Sequence, residues 1–201
     1  PEDIEFVHGD LIELLSKNNT EEELRKQVEQ SLTQYLYAQL KYYLEAKNWQ
    51  AADQKTWELM LNIAKIEKDG YLNIDSINNF SCKQLQNIDQ LWVDNSNKRF
   101  GFSVQKEIWI RSGNRLGIKP GDWTSKDSEN YLSFARAVGW YDKDEQIWKI
   151  VKRIKDSPSS QGSLPIIPFY FPSLESEDSA RVGPINVPAS SLALRLVKCN
   201  I

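Results

Sequence analysis

The chain has 201 residues, enough to bury a sizeable core and consistent with one domain plus an added segment. A net charge of −3 argues against a nucleic-acid binder driven by phosphate neutralisation, and no apolar run is long enough to span a membrane. Cys82 and Cys199 lie far apart with no CxxC neighbour, so neither a disulfide framework nor a zinc site is indicated and a reducing, cytoplasm-like compartment is expected.

The opening Pro1-Glu2 carries no charged-then-apolar leader, so no export signal is expected; the missing initiator methionine leads to the expectation of a trimmed chain or a fragment of a longer protein. A short helix is expected around Leu11, Ile12, Leu14 and Leu15. Thr20 and Glu23 form a capping box for a longer helix over 21–46, in which Leu24, Val28, Leu32, Leu36, Leu40 and Leu44 recur at i+4 along one drifting face. A break near Tyr35 fits its length. After Lys47-Asn48, a second helix over 49–66 is expected to pack antiparallel on the first, with Ala52, Leu59, Met60 and Ile63 inside.

Asp69-Gly70 marks a turn. Ser81 and Gln84 make a capping box for a helix with Leu85, Ile88, Leu91 and Trp92 on its apolar face. A polar loop, 94–98, leads to a helix through Ile108 and Trp109, with Ser103 as its cap and Gly113 in the left-handed position beyond its end. Residues 114–127 read as a loop, and 128–138 as a helix carrying Tyr131, Phe134, Ala135 and Val138 and stopping at Gly139. The basic residues Lys149, Lys152, Arg153 and Lys155 read as a solvated helix face. Residues 156–162 are Ser/Pro-rich and loop-like. Five of the eight prolines follow from Pro165, which delays any long helix until Ala189; residues 191–198 fit either a closing helix or a short strand. No strand pattern runs for any length, so the expected class is all-α.

Catalytic chemistry is scarce. The only histidine, His8, reads as a surface residue, and no phosphate-cradling glycine motif is present. Carboxylates such as Glu21 to Glu23 sit at helix starts, where they complement the helix dipole, and the acidic stretch Asp142, Asp144 and Glu145 reads as a loop rather than a metal site. Seven tryptophans without a polar catalytic cluster point to binding of flat apolar surfaces rather than to an enzyme, although most of the seven are expected to fill the core.

One segment narrows this. Phe100-Gly101-Phe102-Ser103-Val104-Gln105 follows Ile88-Asp89-Gln90-Leu91-Trp92 and the loop Asn95-Ser96-Asn97. Trp49-Gln50-Ala51-Ala52-Asp53, within 40–64, and Asn79-Phe80 precede it; Val138-Gly139-Trp140 and Gly162-Ser163-Leu164-Pro165 come after. In this order the segments resemble the genomes-uncoupled-four (GUN4-like) family, tetrapyrrole-binding activators of magnesium chelatase in oxygenic phototrophs. The resemblance covers 37–167, which makes 1–36 an N-terminal helical extension and 168–201 a Pro-rich C-terminal one.

The resemblance implies a compact, cupped bundle of short helices that clasps a porphyrin or Mg-porphyrin, with no cofactor required. It also implies a role in regulating chlorophyll biosynthesis, in a cyanobacterial cytoplasm or plastid stroma. Phe80, Leu91, Trp92, Phe100, Phe102, Trp140 and Trp148 are the candidate walls, with Lys149, Lys152 and Arg153 as candidate rim cations for the propionates. The implied partner is the large subunit of magnesium chelatase or a fused signalling domain; a monomer is expected. The alternative is a divergent recognition or sensor module of a larger signalling protein that has lost or changed porphyrin binding.

Among the departures from the family pattern, the altered clasp residues and the unfamiliar tail support that alternative, as does the start without methionine. Between the Gly-Trp and Gly-x-Leu-Pro landmarks, the family's Arg-Trp pair and following Phe are met by Trp148, Lys149 and Arg153. A cation at the Phe place is costly to bury against a porphyrin face without a partner. Where the family carries an arginine past Gly-x-Leu-Pro, this chain reads Phe169-Tyr170-Phe171. The loop and helix over 114–138 are longer than in the family, and neither the tail from Ile166 nor the stretch before Tyr35 resembles it.

Overall fold

The computed structural model describes residues 22–142, 144, 147–148, 158–166 and 186–201. The expected helix around Leu11 and the Thr20 cap lie outside them, as do His8, Lys149, Lys152, Arg153 and Lys155.

The described residues are mostly helical, as the apolar periodicity predicts. Helix α1 (Glu22–Glu45) runs unbroken past Tyr35 and buries Val28, Leu36, Leu40 and Leu44 along the i+4 row. It turns at Lys47, in the left-handed region, into α2 (Trp49–Ala64), started by Asn48, whose side chain accepts the Ala51 N–H. The two helices form the expected antiparallel hairpin, tied at their far end by Thr33 Oγ1 donating to Asn62 Oδ1 at 2.7 Å. The turn at Gly70 precedes a short helix, α3 (Ile74–Asn79), that hydrophobic periodicity does not reveal; Asn73 caps it by accepting the Ser76 N–H at 2.8 Å.

Helix α4 (Cys82–Asn95) begins at Ser81, which accepts the Gln84 N–H. Tyr37 on α1 holds the Gln84 carboxamide instead, donating to its Oε1 at 2.7 Å, so this box carries an interhelical bond. Helix α5 (Phe102–Arg111) starts one residue before the expected cap: Gly101 is its N-cap, and the Ser103 N–H is taken by Asp89 of α4. Helix α6 (Ser125–Ala137) begins three residues early, because Thr124 and Asp127 form a reciprocal capping box. Strands β1 (Tyr141–Asp142) and β2 (Ile147–Trp148) pair antiparallel, a ladder too short to show as alternation in the sequence.

Helix α7 (Asn186–Lys198) resolves the choice left at 191–198 in favour of a helix and begins before Ala189. Pro188 falls in its first turn, where a missing N–H has no intrahelical partner to lose. Leu192, Ala193 and Leu196 enter the same core as α1, α2, α4 and α5.

Docking of α7 brings Cys199 to Cys82, and the two are joined in a disulfide with Cα atoms 5.1 Å apart. This corrects the expectation of unpaired cysteines and removes the support it gave to a reducing compartment. Across a sequence separation of 117 no spacing rule signals the pair; only the tertiary fold does. A cross-link of that span restricts the unfolded chain by roughly 4–5 kcal/mol in the chain-entropy account.

Candidate functional site

Three sequence landmarks converge on one loop. Gln105, almost fully buried, donates from Nε2 to the carbonyls of Gly162 (3.0 Å) and Pro165 (2.8 Å). Gly101 N–H donates to Leu164 O at 3.1 Å, and Gly162 N–H to Arg99 O at 2.8 Å. Asp53, four residues into α2, accepts the Ile166 N–H at 2.6 Å, and Trp140 Nε1 donates to Ser163 O at 2.9 Å. The segments around Asp53, Phe100–Gln105 and Trp140 thus serve as the clamp of 162–166. Their residue types are set by buried hydrogen bonding, each with a low-dielectric penalty if broken.

That clamp fixes both roots of the stretch between Trp140 and Gly162, which carries the β1–β2 hairpin. Against the hairpin lies an aromatic assembly. Its inner layer is Trp109, Tyr131, Phe134 and Trp140, all buried, with Trp109 and Phe134 centroids 5.2 Å apart and Phe134 and Trp140 centroids 5.5 Å apart in edge-to-face contacts. Its outer layer is Trp123, Tyr141 and Trp148, each partly exposed. Trp148 stacks on Tyr131 at 5.8 Å and meets Tyr141 edge-on at 5.3 Å, while Trp123 meets the edge of Tyr131 at 6.2 Å. The exposed Arg136 holds its guanidinium over the Tyr141 ring at 5.5 Å.

Electrostatics sharpen the border of this face. Asp127 accepts from Arg115 Nε (2.7 Å) and Nη2 (2.5 Å) and from Thr124. The Arg115 guanidinium first, and then the Thr124 bonds, hold its carboxyl well below the usual range. Arg115 is therefore engaged, also donating to Asp122 O at 2.9 Å, and Arg136 is the cation the described structure sets beside the outer aromatics.

The candidate walls named from the sequence divide in two. Trp140 and Trp148 belong to this assembly. Trp92, Phe100 and Phe102 are completely buried elsewhere: Trp92 stacks on Trp49 and donates from Nε1 to Thr56 Oγ1 at 2.9 Å, and Phe100 meets both tryptophans edge-on. Phe80 is buried beside α7, its carbonyl accepting from the Arg195 guanidinium, and Leu91 is half-buried against the core. Trp92, Phe100, Phe102 and Phe80 therefore hold the scaffold and present no face to a ligand. Tyr131, Tyr141, Trp123 and Arg136 join the assembly without a signal in the sequence that marks them as its parts. Tyr131, Phe134 and Arg136 share one amphipathic helix, but only the hairpin, invisible as a pattern, brings Tyr141 and Trp148 across from it.

Among the described residues no cluster of His, Cys, Asp and Glu is arranged to hold a metal ion, and no helix is long and apolar enough to cross a membrane. The arrangement offers one partly exposed indole, Trp148, backed by the buried Tyr131 ring and flanked edge-on by Tyr141, with the exposed Arg136 beside it, suited to an apolar ring system with an anionic rim.

Comparison with known proteins gives a family model described as GUN4-like, matching residues 30–170. The chloroplastic tetrapyrrole-binding protein of Arabidopsis thaliana is 31% identical over 122 residues, covering 56% of this chain and 46% of that protein. An uncharacterized ycf53 protein of Porphyra purpurea is 34% identical, covering 37% of this chain and 32% of that one, and a Ycf53-like protein of Synechocystis is 30% identical, covering 44% and 42%. The chain thus spans less than half the length of these relatives. Among solved structures, the ligand-free structure of Arabidopsis thaliana GUN4 aligns with a TM-score of 0.49 at 26% identity, covering 63% of this chain and 81% of that one.

Proposed function

The chain belongs to the GUN4-like family, and from that premise we propose that it is a non-catalytic, tetrapyrrole-binding regulatory domain whose ligand rests on Trp148 beside Tyr141, above the buried Tyr131. The observation that carries this reading is the geometry of Trp148, stacked on Tyr131 and braced edge-on by Tyr141, with the Arg136 guanidinium over the Tyr141 ring. A porphyrin is a flat apolar disc with two propionates on one edge. Its apolar face suits the partly exposed Trp148 indole, and its carboxylates suit the exposed Arg136 guanidinium beside it. The naming of an Arabidopsis relative as tetrapyrrole-binding supports the ligand class.

The regulatory part of the proposal is that the loaded domain stimulates magnesium chelatase through the chelatase's large subunit, in a plastid stroma or cyanobacterial cytoplasm. The plastid and cyanobacterial origin of the relatives supports that setting. Titrating deuteroporphyrin with the chain and following its Soret band tests the ligand class. A saturable red shift is expected, and an unshifted band at excess protein contradicts it. Adding the loaded domain to a chelatase assay tests the regulatory part: a rise in magnesium insertion is expected, and an unchanged rate rejects it.

A further inference from the structure

Helix α7 lies beyond the family-matched residues yet is fastened to the core at both ends. At its C-terminal end Cys199 is bonded to Cys82 at the start of α4, Gln86 Nε2 donates to Cys199 O at 2.9 Å, and the guanidinium of Arg195 donates to Phe80 O. At its N-terminal end Ser190 accepts two consecutive loop amides, Gly117 N–H on its carbonyl at 2.9 Å and Ile118 N–H on its Oγ at 3.0 Å. The approach there is close: a Cβ on Gly117 would lie 2.4 Å from Leu194 Cδ2. The same loop supplies Arg115, which grips Asp127 at the start of α6, and Trp123, whose ring meets Tyr131 under Trp148. One short loop therefore joins the disulfide-fastened helix to the aromatic assembly.

We propose that the Cys82–Cys199 disulfide is a redox latch on α7, and that opening it loosens the 114–123 loop and weakens ligand binding at Trp148. This rests on the proposed function for its ligand, though not for its mechanics. Cys82 is half-buried and Cys199 buried, and Cys82, the more exposed residue, is taken as the point of attack. A thiolate of a dithiol reductant attacks Cys82 Sγ and expels Cys199 Sγ as a thiolate, which takes up a proton. The second thiol of the reductant then displaces Cys82 from the mixed disulfide. Two electrons and two protons end on the cysteines, and the reductant leaves as its own disulfide. With the staple gone, α7 is held by hydrogen bonds and its apolar face alone, and its open states become more populated.

The test compares the full chain as oxidised protein, after dithiothreitol treatment and thiol blocking, and as Cys82→Ser. Circular dichroism confirms that all three stay folded. Hydrogen exchange at 114–123 and 186–198 is expected to quicken about tenfold in the two open forms, with the α2 amides unchanged. Deuteroporphyrin affinity is expected to fall about fivefold. Unchanged exchange at both segments overturns the latch, and faster exchange with equal affinity overturns its link to the site. Absence of saturable binding by the oxidised chain sinks the tetrapyrrole reading and the link with it, while exchange still decides the latch by itself.

Discussion

The carboxylate of Asp89 on α4 accepts the amide N–H of Ser103 on α5 at 2.9 Å, so α5 is capped by a neighbouring helix rather than by the residue that leads it. Burial pushes the Asp89 carboxyl above its ordinary range, opposed by its bonds to Ser103. For an acid whose native pKa is raised, the stability it contributes is full below the unfolded value of about 3.9 and declines as pH rises through the native value. Asp89→Asn keeps an acceptor without the charge and is expected to flatten that decline. Asp89→Ala leaves the Ser103 amide unpaired and is expected to cost about 1–2 kcal/mol. Urea unfolding at pH 5 and pH 8 distinguishes the two.

Gly101 stands beside that bond with φ +132, and a Cβ there would lie 2.8 Å from Asp89 Oδ1 and 2.9 Å from Val93 Cγ2. Gly101→Ala meets both an unfavourable backbone region and a crowded α4–α5 contact. A loss of about 2 kcal/mol or more is expected in chemical unfolding.

Gln105 closes the clamp by serving two carbonyls at once. Gln105→Leu leaves both Gly162 O and Pro165 O without that donor and is expected to cost about 2–3 kcal/mol. Gln105→Glu has the shape without the donor, so it is not expected to rescue stability. Thermal melts of the two variants beside the parent chain check this.

The Arg115–Asp127 pair predicts a different pH dependence. Because the Asp127 carboxyl is held well below its usual range, its contribution is present above about pH 4 and is lost as pH falls through the native value. Asp127→Asn is expected to lower the Tm at pH 7, and the gap from the parent chain to shrink steadily between pH 5 and pH 2. A constant gap contradicts the assignment.

Much of the helical framework was legible in the sequence because its signals are local. The i+4 leucines of α1, the Asn48 turn and the apolar row Leu85, Ile88 and Trp92 each act within one or two turns of helix. The box at Thr124–Asp127 is equally local and sets the start of α6 at Ser125 rather than at Ser128. The site was less legible because its parts meet across distance. Phe100 and Trp92 look like ligand walls in sequence, yet tertiary packing closes over them. Trp148 meets Tyr131 through a two-residue ladder, and Cys82 finds Cys199 only through the docking of α7.

The account stands most directly on Trp148. Tryptophan fluorescence of the oxidised chain and of Trp148→Ala, titrated with deuteroporphyrin, measures it. Saturable quenching by the parent chain, with affinity about tenfold weaker in Trp148→Ala at unchanged helicity, is the predicted result. Linear, non-saturating quenching of the parent chain, or superimposable curves for the two proteins, would contradict it.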